Sequence, residues 1–130
     1  MKAIRIHGFG DIDRMRLDDI PRPVPGAGEL LVAVKAAGVG PWDRLVQALP
    51  LTLGSEISGT VAAIGAGFGG FALGEAVYGA TNRQFVGGYA EYALVEAGKV
   101  PPKPAALDSV AAAGLPLVAV TAWQMVFEYA

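Results

Sequence analysis

The chain has 130 residues, a net charge of −2, one histidine and no cysteine. This length suits one compact domain with a sizeable core. The scattered basic residues provide no surface for nucleic acid, and the lack of cysteine excludes disulfides, thiolate zinc sites and a cysteine nucleophile. Hydrophobic residues make up 53% and charged residues 17%, fewer charges than a typical globular domain has. The first residues lack the apolar run of a signal peptide, so we expect a cytoplasmic protein.

The first hundred residues predict short strands joined by turns. Apolar and polar residues alternate in several segments, and many of the 18 glycines lie between them, as expected for turns, bulges and barrel corners. The predicted strands are residues 3–7, 15–18, 29–37, 55–64, 76–79 and 89–95. The pattern therefore predicts a mainly β fold, a small and partly closed barrel.

The pattern changes to helical after Val100. Prolines at 101, 102 and 104 form a stiff connector, and Asp108 is a helix cap ahead of a short apolar run. We predict helices over 108–113 and 116–129. The second is apolar on almost every side, so it requires cover on every side.

The apolar segment 110–127 is about long enough to cross a bilayer. Gly114 and Pro116 interrupt it, and no basic residue flanks its end. We therefore predict a buried or interface helix and no membrane partner.

The glycine-rich segment 65–70, GAGFGG, fits the spacing of a dinucleotide-binding fingerprint. That motif holds a pyrophosphate only where a helix begins, because free helical amides bind the phosphates. Here the following residues predict another strand, so a glycine-rich hairpin turn is the better interpretation. His7 is the lone histidine and has no acidic pair at ligand spacing, which favours a surface residue over a metal ligand.

Six short motifs, in a fixed order, span almost the whole chain. They are GAGELLV at 26–32, AAGVGPWD at 36–43, GSEISGTV at 54–61, FALGEAVY at 71–78, GGYAEY at 87–92 and AAGLPLVAVTAW at 112–123. Together they resemble the amino-terminal GroES-like catalytic domain of the medium-chain dehydrogenase/reductases, in the quinone oxidoreductase branch. The resemblance implies a GroES-like, partly open β-barrel with two C-terminal helices and an NAD(P)H-dependent enzyme.

Two departures from that family bear on chemistry. Zinc alcohol dehydrogenases carry a cysteine at the position of Gly40 and a histidine at that of Ser55, so the resemblance implies a zinc-independent member. Metal-free relatives usually carry asparagine at Gly40, and many carry a tyrosine near Leu45. Because both polar groups are replaced, the donor for a developing oxyanion would have to be a backbone amide, Trp42 or another domain.

The resemblance implies hydride transfer from NADPH to a small-molecule quinone or enone. It places the substrate pocket near Gly40, Trp42, Asp43 and Leu45, and a cofactor contact at Thr121. The catalytic residues themselves remain unassigned.

The resemblance divides the chain into a GroES-like substrate domain, 1–115, and an interdomain helix, 116–130, that leads to a Rossmann domain not contained in this sequence. We expect the chain alone to bind no NADPH or zinc and to be inactive. We also expect homo-oligomers through helix 116–129. The alternative is a free-standing GroES-like binding or assembly module without redox activity.

Overall fold

The computed structural model describes residues 1–44, 49–67 and 69–129. Their strands are β1 (Lys2–Ile6), β2 (Met15–Asp19), β3 (Glu29–Ala37), β4 (Leu51–Thr52), β5 (Glu56–Ile64), β6 (Ala76–Ala80) and β7 (Tyr92–Glu96). The helices are α1 (Ser109–Ala113) and α2 (Pro116–Trp123), and α2 continues into a π-helical turn, Gln124–Glu128. Short 3-10 turns occupy Ile12–Arg14, Pro41–Arg44 and Ala97–Lys99.

The strands form two antiparallel sheets. One has the order β2-β1-β4 and the other the order β6-β5-β3-β7. A single bridge between Ala3 and Ala90 connects β1 to the segment before β7. Neither sheet closes on itself, which confirms the prediction of a mainly β, partly open barrel with two C-terminal helices.

The core lies on the four-stranded sheet, where buried and half-buried residues alternate along β6 and β7 and buried residues follow one another in β3 and β5. Its fully buried members include Leu30, Val32, Ile57, Val77 and Val95. Each such side chain contributes about 1.5–3 kcal/mol when it is removed from water. Ala112 and Ala113 of α1 are also buried, so this short helix packs against the sheet.

The two helices begin as the sequence predicts. The Asp108 carboxylate accepts a hydrogen bond from the Ala111 amide at 2.7 Å, which caps α1. Pro116 occupies the first turn of α2, where its missing N–H leaves no bond unmade. None of the residues of α2 is buried, so the described part of the chain leaves this apolar helix incompletely covered.

Two of the predicted strands begin late. The strand predicted from Ser55 starts at Glu56, and that predicted from Tyr89 starts at Tyr92. Within the part of the chain that the structure describes, no helix is long and apolar enough to cross a membrane.

Candidate functional site

The predicted pocket residues lie just after β3. The chain leaves that strand at Ala37 and forms the 3-10 turn Pro41–Arg44, which carries Trp42 and Asp43. Gly40 immediately precedes the turn, and its carbonyl accepts a hydrogen bond from the Asp43 amide at 3.1 Å. Leu45, the fourth predicted residue, lies outside the described residues.

Asp43 is the centre of a polar network. Its Oδ2 accepts hydrogen bonds from the Gly40 amide at 2.8 Å and from the Tyr89 hydroxyl at 2.7 Å. Its Oδ1 accepts the Ser55 hydroxyl at 2.7 Å, and Ser55 Oγ in turn accepts Trp42 Nε1–H at 2.7 Å. Hydrogen bonds to a charged carboxylate are stronger than neutral ones, so this network fixes the turn against β5 and the segment before β7.

The network engages four hydrogen-bond donors near the predicted pocket. The Gly40 amide, the Trp42 indole, the Ser55 hydroxyl and the Tyr89 hydroxyl each donate to another member. A substrate oxygen could therefore accept a hydrogen bond from one of these four donors only if an internal bond broke. Trp42 was one of the candidate oxyanion donors from the sequence, and in this structure its N–H already donates to Ser55 Oγ.

Tyr89 remains a neutral donor in this network. Burial raises the pKa of its hydroxyl above the ordinary value of 10.0, and the hydrogen bond to Asp43 and the charges of Asp43 and Glu56 raise it further. Sequence reasoning assigned Tyr89 no role. The motif at 87–92 marks Tyr89 in the sequence, but its hydrogen-bond partner Asp43 lies 46 positions away, so the motif does not reveal the contact.

Glu56 is a buried carboxyl group beside the network. Only 2% of it is exposed, and its Oε2 accepts the Leu117 amide of α2 at 2.9 Å. Burial raises its pKa above the ordinary 4.5, the bond from Leu117 lowers it, and the charge of Asp43 raises it. Glu56 therefore joins the start of α2 to β5, a role that the sequence did not reveal.

The site does not fit a zinc ion. Gly40 has no side chain to offer, and both hydrogen-bonding roles of the Ser55 hydroxyl are taken by Asp43 and Trp42. Residues 1–44, 49–67 and 69–129 contain no group of three or more histidine, aspartate or glutamate side chains placed to hold a metal. His7 Nε2 lies 2.5 Å from Asp18 Oδ2, with the His7 side chain 45% exposed, so it is a surface residue as the sequence predicts.

Thr121 lies in a different place from the Asp43 network. It is exposed on α2 and lines a groove of about 460 Å³ between that helix and β6. The groove is also bordered by Tyr78, Lys99 and Gln124. Asp43 instead borders a smaller cavity of about 260 Å³, whose walls include Phe9, Ile12, Met15 and Leu53. Asp43 and Thr121 therefore line different cavities.

The glycine-rich segment 65–70 lies between β5 and β6. A strand follows it, so it lacks the helix that a pyrophosphate requires. A Cβ on Gly65 would lie 1.7 Å from the Gly26 carbonyl oxygen, which explains why only glycine fits there. The turn interpretation is confirmed for the residues described.

Comparison with known proteins identifies the family. The model of the alcohol dehydrogenase GroES-like domain matches residues 26–105. A human quinone oxidoreductase is 35% identical over 127 residues, which cover 89% of this chain and 38% of that protein. The chain thus belongs to the GroES-like domain family of the alcohol dehydrogenases, and its relatives are quinone oxidoreductases.

Solved structures agree with this assignment. The mycobacterial protein Rv1454c complexed with NADPH has a TM-score of 0.92 and 32% identity, covering 98% of this chain and 41% of that one. The human synaptic vesicle membrane protein VAT-1 homolog-like protein has a TM-score of 0.93 and 31% identity, covering 99% and 43%. The chain therefore spans about two-fifths of the length of these relatives.

Proposed function

We propose that this chain is the substrate domain of a zinc-independent, NADPH-dependent oxidoreductase that reduces a quinone or an enone. The observation that carries the proposal is the hydrogen-bonded network centred on Asp43. It lies at the positions where zinc enzymes of this family carry a cysteine and a histidine, and it offers no metal ligand set. The relatives named quinone oxidoreductase and the NADPH complex of a similar structure support the same chemistry.

NADPH would supply a hydride, which carries two electrons, to a conjugated carbon or to the quinone ring. The negative charge that would then develop on the substrate oxygen needs stabilisation until a proton is added. Because the donors around Asp43 are engaged with one another, we assign that stabilisation to groups outside the network. The residues of this chain shape the pocket.

The proposal divides the work between two domains. Residues 1–115 hold the substrate, and the helix 116–130 leads to a nucleotide-binding domain outside these 130 residues. The exposed Thr121 hydroxyl would contact the nicotinamide end of the cofactor. The phosphates need a cluster of free backbone amides at a helix start, and the turn at 65–70 does not provide one. The chain alone is then inactive.

The second candidate is a GroES-like binding or assembly module without redox activity. One observation favours it: the four donors of the network donate to other members of the network, so none of the four is free for a substrate oxygen. The two functions predict different results from one experiment. Residues 1–130 are joined to the remaining domain of the human quinone oxidoreductase, and quinone-dependent oxidation of NADPH is measured.

Turnover by this folded chimera supports the reductase, with the nucleotide-binding domain alone as the control. A folded chimera that binds NADPH but reduces no quinone supports the module instead. Metal analysis of the purified chain tests zinc independence separately, because stoichiometric zinc would contradict it.

We further propose that a second copy of this chain covers the exposed helix of residues 116–129. Its exposed side chains include Trp123, Phe127 and Tyr129 at 59%, 66% and 78%. An aromatic side chain buries about 150–250 Å² when it is covered, so these three leave roughly 300–500 Å² uncovered. That is about half of one partner's share in a stable interface, and neighbouring valines and Met125 add to it.

A further inference from the structure

The space beside Gly40 is filled by the Trp42 indole. A Cβ on Gly40 would lie 2.2 Å from Trp42 Cε2, 2.3 Å from Cζ2 and 2.7 Å from Nε1. Real Cβ atoms do not approach other heavy atoms below 3.0 Å. The three nearest atoms all belong to the indole, and Gly40 has no left-handed φ that would itself require glycine. The indole is therefore the obstacle to any side chain at position 40.

The indole is held in this position by its ring nitrogen. Nε1–H donates to Ser55 Oγ at 2.7 Å, and Ser55 is completely buried and bonded to Asp43. The turn that carries Trp42 is closed in both directions, by Gly40 N–H to Asp43 Oδ2 and by Asp43 N–H to Gly40 O. Moving the ring away from Gly40 would break the bond to Ser55 and leave a buried hydroxyl short of one partner.

Although its N–H is bonded to a buried group, Trp42 is only half-buried. Part of the residue is therefore accessible to solvent, although its ring N–H is committed to Ser55. A large aromatic ring that is fixed at its polar edge and open elsewhere can contact a planar ligand without a change of rotamer.

We infer that Trp42 is a specificity-determining residue: its indole takes the volume of the position-40 side chain and presents an aromatic wall to a planar, conjugated substrate. The inference rests on the proposed function and deepens it. Such a wall recognises the flat face of a ring and sets the space available for a second ring. It donates no hydrogen bond to the substrate oxygen, because its N–H donates to Ser55.

The first experiment tests the exchange of volume between the two positions by a double-mutant cycle on urea unfolding. In the unmodified chain Gly40→Asn should lower the folding equilibrium constant at least about tenfold, since the indole must be displaced. In a Trp42→Ala background the same substitution should lower it less than about threefold. Gly8→Asn is the matched control, because a Cβ at Gly8 meets nothing within 4 Å. Additive effects of Gly40→Asn and Trp42→Ala would overturn the inference.

The second experiment tests the substrate wall by calorimetric binding of two quinones to the chain. Tetramethyl-1,4-benzoquinone has one ring and 9,10-phenanthrenequinone has three, and neither has an open ring position that adds readily to lysine amines. We expect Trp42→Ala to shift the ratio of the two affinities at least about fivefold towards the three-ring compound, and Trp42→Phe to shift it less.

A purely structural role for Trp42 would change both affinities by the same factor, and that result would overturn the inference. So would the failure of both quinones to bind the unmodified chain. The chimera's turnover reports on the proposed function independently of both experiments.

Discussion

Asp43 accepts hydrogen bonds from one nearby backbone amide and from two side-chain hydroxyls that are distant in the sequence. One is the backbone amide of Gly40, and the others are the hydroxyls of Ser55 and Tyr89. A carboxylate can accept several donors at once, whereas an amide side chain has one accepting oxygen and a nitrogen that only donates. The network should therefore depend on the carboxylate at this position more than on any single donor.

We expect Asp43→Asn to lower the free energy of unfolding by about 1–3 kcal/mol. The NH₂ group of the asparagine side chain would face a hydrogen-bond donor of the network and leave that donor without an acceptor. Tyr89→Phe, which removes a single donor, should cost about 0.5–1.5 kcal/mol. Urea unfolding of the two variants checks the order. Asp13→Asn is the control, since the Asp13 side chain is 78% exposed and its Oδ1 lies as far as 4.0 Å from Arg14 Nε. Equal effects of Asp43→Asn and Asp13→Asn would contradict a central role for Asp43.

Glu56 gives a prediction about pH. Because its pKa is raised in the folded state, the folded chain holds this proton above pH 4.5, where the unfolded chain releases it. Its contribution to stability therefore falls as the pH rises from 4.5 through the raised value. The amide oxygen of Gln can still accept the Leu117 N–H, but it does not ionise.

We expect Glu56→Gln to become more stable relative to the unmodified chain between pH 4.5 and pH 7, as measured by urea unfolding at each pH. Asp13→Asn, on the exposed surface, should show no such trend. A stability difference between Glu56→Gln and the unmodified chain that stays constant over this range would contradict the assignment.

At the level of single residues, the sequence could exclude ligands but could not find partners. Gly40 and Ser55 were recognisable as poor zinc ligands from their chemistry alone. The roles of Tyr89 and Glu56 depend on contacts over 46 and 61 positions. No local pattern encodes such contacts, so these roles had to come from the fold.

Among the elements, long strands with clear alternation were predicted with small errors at their ends. The two-residue strand β4 was missed, because Leu51–Thr52 has no periodicity of its own and exists only by pairing with β1. The late start of β7 has a similar cause. Residues 89 to 91 continue the apolar pattern, but their hydrogen bonds go to other segments, such as the bond from Ile4 N–H to Tyr89 O.

The exposed apolar side chains of the helix of residues 116–129 lead to a prediction about oligomers. The Trp123 and Phe127 rings contact each other with centroids 4.4 Å apart, and both are mostly exposed. Covering each large side chain fully contributes about 1.5–3 kcal/mol, so pairing of two helices would recover several kcal/mol. We expect sedimentation to show oligomers of the unmodified chain, and monomers after both residues are changed to Gln.

The control for this experiment changes Ile12 and Val24 to Ser. These side chains are 81% and 84% exposed on other parts of the molecule, so the oligomers should persist. A monomeric unmodified chain at high micromolar concentration would contradict the second-copy proposal and favour another domain as the cover.

At the scale of the whole molecule, Asp43 and Thr121 line two different cavities. Asp43 lies on the turn Pro41–Arg44 that follows β3, whereas Thr121 lies in the groove between α2 and β6. The fold class was predictable because many weak motifs agree in order. The cavities that Asp43 and Thr121 line were not predictable, since motif order carries no information about which cavity a residue lines.

The most direct test of the two-domain account is a calorimetric titration with NADPH of the chain alone and of the chimera. We expect no micromolar binding by the chain, because Thr121 offers one hydroxyl and the turn at 65–70 offers no helix start for the phosphates. The chimera should bind NADPH. Saturable micromolar binding by the chain alone would contradict the account.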